Sequence, residues 1–255
     1  MDTKPIIELK GVSKSFGAVQ ALSKVDFSAY NGEVMALVGD NGAGKSTLIK
    51  GIAGIHAFDE GQTYFEDQEV AINNPKDSAA LGIEVVYQDL ALADNLDVVA
   101  NMYLGRELIK KPLRLDEENM EIACVETLKS LSVTTLRSVR QAVAGLSGGQ
   151  RQAIAVAKAV MWNSKLVILD EPTAALGVAQ TRQVLDLVRR LADKGLGVII
   201  ISHNLHDVFE VSDRITVLRL GQNVREYFTA NTTQEEVVHA ITAGTLDSVP
   251  GMVEA

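Results

Sequence analysis

The stretch GDNGAGKST, residues 39–47, has the composition and spacing of a loop that binds phosphate. It follows the apolar run VMALV, which predicts a strand, and it opens a predicted helix. Its glycines allow the backbone to wrap around a phosphate with the N–H groups pointing inward. Lys45 is expected to reach the β- and γ-phosphates of a nucleotide, and the Ser46 hydroxyl is expected to bind Mg²⁺. The expected binding set is Gly39, Asp40, Asn41, Gly42, Ala43, Gly44, Lys45, Ser46 and Thr47.

Two acids close the apolar run LVILDEP at residues 166–172. In an open parallel sheet, ligands gather at the carboxyl ends of the strands. Asp170 is therefore placed to hold Mg²⁺, and Glu171 is placed to polarise a water molecule against the γ-phosphate. A single acid here would be better explained as a helix cap or a solvated strand end, but two acids in a chain with a phosphate loop favour catalysis.

Three further residues end or adjoin predicted strands. His203 closes VIIISH and is a candidate sensor of the γ-phosphate, although a lone histidine after a core strand is more often structural. Gln88 closes IEVVYQ, where its amide oxygen could bind Mg²⁺ and contact the γ-phosphate. Phe16 precedes a glycine and could stack on adenine, the alternative being a minor core residue.

A second element that could face phosphate is LSGGQ, residues 146–150. Its serine and two glycines open a predicted helix, and a helix N-terminus attracts anions. The element is incomplete, because it has no lysine equivalent to Lys45. A chain with one full phosphate loop has no evident use for half of another.

The alternation of predicted strands and helices along the chain predicts a single α/β domain over residues 6–244. We expect a P-loop NTPase fold with a mixed or parallel central sheet and an N-terminal antiparallel β subdomain. Residues 93–161 carry three helical patterns without a strand between them, which predicts a helical subdomain inserted into the α/β part. The tail at 245–255 is expected to fray.

The composition limits the function classes. The 255 residues are 47% hydrophobic and 22% charged, which is typical of a soluble globular protein. A net charge of -9 argues against nucleic-acid binding. The single cysteine, Cys124, rules out a disulfide framework and is expected to be buried. No apolar run is long enough to cross a bilayer, so we expect a cytoplasmic protein that reaches membranes only through partners.

Phe16, GDNGAGKST, Gln88, LSGGQ, LVILDE and His203 occur in an order and spacing that resembles ATP-binding cassette (ABC) ATPases. The resemblance covers essentially the whole chain. It implies that two cassettes bind two ATP molecules and Mg²⁺ head to tail, with LSGGQ of one chain facing the phosphate loop of the other. It further implies specific roles: Phe16 stacks on adenine, Gln88 links to a membrane subunit, Glu171 is the general base, His203 is the switch, and Ser147, Gly148, Gly149 and Gln150 act on the partner's ATP.

Longer stretches are similar to one group within that family. GEVMALVGDNGAGKSTLIKGIAG, NMYLGRE and DEPTAALGV resemble the ATPases of ribose-, xylose- and fructose-type importers. This resemblance implies a homodimer on the inner face of the plasma membrane, bound to permease subunits and served indirectly by a sugar-binding protein. The alternatives are an ABC ATPase of another transporter class and a non-transport ABC ATPase. A P-loop kinase or GTPase would leave LSGGQ unexplained.

One position departs from the family pattern. The loop after the catalytic glutamate usually ends in aspartate, whereas AALG places Gly177 there. The resemblance implies that this loop carries signals between the two ATP sites. We therefore expect weaker coupling between the sites, with hydrolysis retained.

Overall fold

The computed structural model describes residues 4–110 and 114–244, so the predicted frayed tail at 245–255 lies outside the described residues. In chain order, the strands are β1 (Ile7–Phe16), β2 (Val19–Ala29), β3 (Val34–Val38), β4 (Glu60–Phe65), β5 (Gln68–Glu69), β6 (Ile83–Val86), β7 (Ile109–Lys110), β8 (Arg114–Leu115), β9 (Leu166–Asp170), β10 (Gly197–Ile201), β11 (Arg214–Arg219) and β12 (Gln222–Phe228). The helices are α1 (Lys45–Ile52), α2 (Pro75–Ala80), α3 (Val98–Tyr103), α4 (Glu117–Ser130), α5 (Gly148–Val160), α6 (Val178–Asp193), α7 (Leu205–Val211) and α8 (Gln234–Ala243).

The central sheet has six strands in the order β12-β11-β3-β10-β9-β6. Five of them run parallel, and β12 pairs antiparallel with β11 at one edge. The predicted mixed sheet is therefore confirmed. Its order places the carboxyl ends of β3, β10, β9 and β6 side by side, and the residues that follow these ends carry the phosphate loop, His203, Glu171 and Gln88.

Alternate residues of the inner strands face two separate hydrophobic clusters. In β9, Val167 and Leu169 pack in the cluster that includes α5 and α6, while Ile168 packs with α1 and the N-terminal strands. Full burial of one such side chain stabilises the fold by about 1.5–3 kcal/mol. Because both faces of the sheet are covered here, the inner strands β3, β9 and β10 are buried and apolar up to Asp170 at the end of β9.

The N-terminal strands form a four-stranded antiparallel sheet in the order β2-β1-β4-β5, as predicted. A buried ionic cluster ties this sheet to the central one. Arg214 at the start of β11 forms ion pairs with Glu33 at 2.8 Å and Glu226 at 2.6 Å, and it donates a hydrogen bond to Ser28 of β2. Burial outweighs the attraction of Arg214 and raises the pKa of Glu33 to about 7. The cluster lies at the end of the sheet opposite the phosphate loop.

Residues 93–161 contain α3, α4 and α5, but the expectation of no strand there is wrong. A short antiparallel pair, β7 with β8, precedes α4. Its partners Ile109 and Leu115 are both exposed, so the pair has no buried face to produce a polar–apolar alternation. Two residues per strand are also too few for such a pattern to be read. Cys124 is fully buried in α4, as expected.

Two helix starts follow directly from local sequence. Asn74 caps α2, and Pro75 occupies the first helical position, where its missing N–H is not needed. Before α8, the sequence offers two overlapping capping-box patterns, Thr232 with Glu235 and Thr233 with Glu236. Only the second forms: Thr233 caps α8 and pairs with Glu236, whereas Thr232 donates its hydroxyl to the same Glu236 carboxylate. A helix has only one N-cap residue, which here is Thr233. The Glu236 carboxylate therefore accepts hydrogen bonds from the Thr233 backbone N–H and from the Thr232 hydroxyl.

Candidate functional site

The phosphate loop lies between β3 and α1 and contacts neighbouring backbone closely. Gly39 has φ 150°, and a Cβ there would collide with the carbonyl oxygen of Leu218. Gly44 has φ 102°, and a Cβ there would lie 2.8 Å from the carbonyl oxygen of Ala21. Only glycine fits at these two positions. Since α1 begins without a side-chain cap, its first-turn N–H groups are available to an anion.

Lys45 begins α1 and points back over the loop. Its Nζ donates to the carbonyl oxygens of Gly39 at 2.6 Å and Asp40 at 3.0 Å. Burial lowers its pKa, and the negative charges of Glu171, Asp40 and Asp170 act against that shift. The loop thus holds an ammonium group next to the free N–H groups of α1, an arrangement that binds polyphosphate.

A cavity of about 610 Å³ opens over this loop. Its lining brings together ten of the predicted residues: Asn41, Gly42, Ala43, Gly44, Lys45, Ser46, Thr47, Gln88, Asp170 and Glu171. The lining also includes the exposed apolar side chains of Val19 and Leu220, which the sequence reasoning did not single out. The only sequence signal for them is that each apolar residue adjoins a glycine turn. They give the cavity an apolar side suited to the flat face of a base.

The oxygen ligands for a divalent cation come from three elements. Ser46 lies in α1, Gln88 follows β6, and Asp170 ends β9, and all three line the cavity. Burial raises the pKa of Asp170 and the charge of Glu171 adds to that effect, so a cation there would be favourable. Among residues 4–110 and 114–244, no group of three or more His, Cys, Asp or Glu side chains is placed to hold a metal. One carboxylate with neutral oxygens and nucleotide phosphates is how Mg²⁺ is usually held.

Glu171 and His203 lie at the ends of adjacent strands and contact each other. His203 Nδ1 lies 2.8 Å from Glu171 Oε2, and the His203 backbone N–H donates to the same oxygen at 3.4 Å. The Glu171 side chain is 17% exposed, while the imidazole is 75% exposed. The carboxylate therefore lies at the cavity wall with its orientation set by the neighbouring strand end, as a base that activates water requires.

Phe16 ends β1 and lies outside the cavity lining. Its half-exposed ring packs edge-to-face against His56 at 5.4 Å between centroids. Lys14 lies 5.6 Å from the ring centre. Adenine stacking by Phe16 stays a prediction.

The LSGGQ element is not part of this cavity. Ser147 caps α5: its hydroxyl oxygen accepts from the backbone N–H of Gln150 at 3.3 Å, and its own N–H donates to Gln150 Oε1 at 2.9 Å. The Gln150 amide also donates to the carbonyl of Thr135 at 2.8 Å, so this side chain is used within its own chain. Ser147 and Gly148 are exposed. In the part of the chain that the structure describes, no LSGGQ residue lines the cavity over the phosphate loop.

The two glycines of LSGGQ pack on the segment that follows Glu171. A Cβ at Gly148 would lie 2.9 Å from Leu176, and a Cβ at Gly149 would lie 3.1 Å from Gln180.

Gly177 is the N-cap of α6, with φ -76° and no side-chain cap. No heavy atom lies within 4 Å of a Cβ placed at Gly177. Packing therefore does not require glycine at position 177 in place of the aspartate that is usual in the family.

A phosphate loop between a strand and a helix, with an acid pair at a nearby strand end, defines the class of P-loop nucleotide hydrolases. The family model for ABC transporters matches residues 22–174. The chain is 46% identical to the xylose/arabinose import ATP-binding protein XylG of Sulfolobus acidocaldarius, covering 96% of both chains. It is 45% identical to the fructose import ATP-binding protein FrcA of Rhizobium meliloti, covering 88% of both. The chain belongs to the ABC transporter family and is an ATP hydrolase of that family.

Other comparisons extend this picture. The ribose import ATP-binding protein RbsA of Yersinia pestis is 39% identical, and the match covers 93% of this chain but 46% of that protein. The ADP conformation of MJ1267, a cassette of an ABC transporter, superposes with a TM-score of 0.80 at 29% identity, covering 94% of this chain and 96% of that one. A dimeric cassette, MJ0796 bound to ADP and Pi, superposes with a TM-score of 0.72 at 25% identity, covering 88% and 98%. Among the described residues, no helix is long and apolar enough to span a membrane.

Glu171→Gln should lower ATP turnover by about 100-fold or more, because the amide cannot accept a proton from water. ATP should still bind, since Lys45 and the loop amides are untouched. Steady-state hydrolysis and calorimetric titration with ATP measure the two effects separately. Glu210→Gln, which neutralises an exposed carboxylate on α7, is the matched control. Near wild-type turnover in Glu171→Gln would disprove the role of the base.

Gly177→Asp should raise the Hill coefficient for ATP, because it places a carboxylate in the loop that is expected to connect the two ATP sites. The open space around Gly177 and its extended backbone admit the side chain, which would also cap α6 and add a few tenths of a kcal/mol to stability. Gly177→Asn caps the helix without the charge and is the control. A Hill coefficient equal to that of the wild type would count against weakened coupling in the natural chain.

Proposed function

We propose that this chain is the ATP-binding subunit of a monosaccharide importer, working as a homodimer bound to permease subunits. The relatives named for xylose/arabinose, fructose and ribose import support the substrate class. Two of them match this chain along 96% and 88% of their own length, so the likeness extends well beyond the phosphate loop. A permease holds the subunit on the inner face of the plasma membrane. A separate sugar-binding protein delivers the sugar to that permease.

The main support for the dimer is that the cavity and the start of α5, which could both face phosphate, lie at separate places on one chain. The cavity holds the groups for phosphate, metal and water, while Ser147 and Gly148 are exposed elsewhere on the same chain. In the head-to-tail pair, α5 of each chain directs its N-terminus at the γ-phosphate in the other chain's cavity. The macrodipole of this 13-residue helix favours the negative charge there.

The cap on α5 leaves Ser147 able to contact phosphate. Its oxygen accepts one hydrogen bond from Gln150 N–H, which does not use the hydroxyl proton. That proton is therefore free to be donated to a phosphate oxygen of the partner's ATP. Gln150 acts by holding Ser147 and Thr135 in place.

In the mechanism we propose, ATP joins the two chains and its hydrolysis releases them. Lys45 and the amides of residues 39–47 would hold the phosphates, and Ser46, Gln88 and Asp170 would supply oxygen ligands to Mg²⁺. Glu171 takes a proton from the attacking water, and His203 holds the Glu171 carboxylate in position. Gln88 lines the cavity and follows the edge strand β6, and in this proposal it passes the state of the site to the permease.

A mixture of two inactive variants tests the shared site. Ser147→Arg places a large cation where α5 should approach the partner's ATP, and Lys45→Ala removes the main charge on the phosphates. In a mixed dimer, one site loses both groups and the other keeps both. Random mixing should restore about a quarter of wild-type turnover, since half of the dimers then have one of their two sites intact.

The control is a mixture of Lys45→Ala with Glu171→Gln. Both residues line the same chain's cavity, so every mixed dimer has two damaged sites and no activity should return. If the first mixture recovered no more activity than this control, the shared site would be refuted.

The substrate class is tested by transport. Deleting the gene for this chain in its host should abolish ATP-dependent uptake of at least one of labelled xylose, arabinose, ribose and fructose. The wild-type chain should restore that uptake and Glu171→Gln should not, while uptake of labelled leucine stays constant throughout. Unchanged uptake of all four sugars would contradict a role in monosaccharide import.

A further inference from the structure

The backbone at Glu171 is held in an uncommon conformation. Its φ is 51°, in the left-handed region that non-glycine residues rarely enter. Residues in this region persist only where surrounding contacts hold them, and such residues cluster at functional sites. The chain reverses here, because the Ala174 N–H donates to the Glu171 carbonyl at 3.1 Å. The direction of the Glu171 carboxylate therefore depends on whatever holds this turn.

Two kinds of contact hold the turn. The Glu171 N–H donates to the carbonyl of Ile201 at 2.9 Å, which continues the sheet by one residue. Two residues later, the Thr173 hydroxyl donates to Asp207 Oδ2 at 2.7 Å. This second bond is between buried side chains, with exposures of 9% for Thr173 and 3% for Asp207. The turn is therefore fixed on one side by β10 and on the other by α7.

Asp207 belongs to the segment that carries His203. Helix α7 begins two residues after His203, with Asn204 as its N-cap, and Asp207 lies in its first turn. The bond from Thr173 to Asp207 thus ties the chain just beyond Glu171 to the chain just beyond His203. A change in this bond would alter the spacing of the two residues that meet at 2.8 Å in the site.

Packing alone does not account for a carboxylate at this position. Burying a carboxylate is costly unless it is paired or hydrogen-bonded. The Oδ1 atom of Asp207 lies 3.9 Å from Nδ1 of His206, whose side chain is 78% exposed. The close contact of the Asp207 carboxylate is the Thr173 hydroxyl, 2.7 Å from Oδ2. An apolar side chain would fill the same space between α6 and α7 at lower cost. The hydrogen bond from Thr173 is therefore the contact that offsets the cost of burying Asp207.

We propose that Thr173 and Asp207 are positioning residues for ATP hydrolysis. Their hydrogen bond keeps Glu171 in its left-handed conformation and so keeps its carboxylate against His203 and at the cavity wall. This inference rests on the proposed role of Glu171 as the base. Neither residue is among those that line the cavity, so the pair acts on hydrolysis and leaves ATP binding alone.

Removing the bond should lower kcat while leaving KM and the ATP dissociation constant unchanged. Thr173→Val deletes the hydroxyl at nearly constant shape, and we expect kcat to fall by about 10- to 100-fold from misplacement of the base. Thr173→Ser keeps the hydroxyl and should restore most of the activity. Asp207→Leu removes the acceptor with a side chain that tolerates burial, so the test does not depend on the folding of a single variant.

A double-variant cycle separates a shared bond from two independent effects. If both residues act through one hydrogen bond, Thr173→Val with Asp207→Leu should lower kcat no further than the stronger single variant. Ser212→Ala is the matched control. It removes another buried hydroxyl that follows the same helix, where Ser212 donates to the carbonyl of Val208 at 2.7 Å. This control should lower the unfolding temperature without changing kcat.

Hydrolysis, calorimetric ATP binding and thermal unfolding are measured for all variants beside Glu171→Gln. If Glu171→Gln is inactive but Thr173→Val and Asp207→Leu keep the kcat of Ser212→Ala, the positioning role is overturned and the base is not. If Glu171→Gln retains turnover, the assignment of the base falls and the positioning role falls with it. A loss of ATP affinity equal to the loss of kcat would also overturn the proposal, because it would indicate general disorder of the site.

Discussion

The site depends on the order in which the parallel strands lie. Strands β3, β10, β9 and β6 are neighbours and end in register, with Ile201 opposite both Leu37 and Asp170. Neighbouring strands lie about 4.8 Å apart, so the residues that follow their ends fall within reach of one bound nucleotide. Because both faces of this sheet are covered by core, the ends cannot shift independently. The phosphate loop, the acid pair, the histidine and the glutamine meet only through this arrangement.

The sequence was sufficient for the parts of the site that are contiguous. Residues 39–47 carry their own glycines, lysine and hydroxyls, so that spacing alone predicts the loop. The acids at 170 and 171 end an apolar strand, and the parallel sheet then places them near the loop. The class of fold followed from the same rhythm of apolar strands and amphipathic helices.

Other features could not be predicted, because they join residues that are distant in the sequence. Thr173 and Asp207 are 34 residues apart, and neither has a local pattern that indicates the other. Val19 and Leu220 meet at the cavity wall only because β2 lies against the turn after β11. The β7–β8 pair escaped prediction for a different reason: its apolar residues face solvent, so burial leaves no trace in the sequence.

The LSGGQ glycines are constrained by their own chain as well as by any ligand. A Cβ added at Gly148 would press on the Leu176 side chain, and one added at Gly149 would press on Gln180, so a larger residue at either position would push on the segment that begins at Glu171. A loss of activity after substitution of these glycines would therefore not by itself reveal a contact with a second chain. Ser147 is exposed and its cap uses only its acceptor oxygen, which makes it the better position for asking what the start of α5 faces.

Charge gives a physical reason why the proposed dimer would close and reopen. Each chain has a net charge of -9, and Asp170 and Glu171 add local negative charge to the cavity wall. Two such surfaces repel each other, and ATP adds further negative charge between them. In the proposed dimer, the N-terminus of the partner's α5 supplies positive potential at the γ-phosphate, where Lys45 and the metal already act. Once that phosphate leaves, the attraction for α5 is lost while the repulsion between the chains stays, so the same charges that required ATP for closure drive the two chains apart.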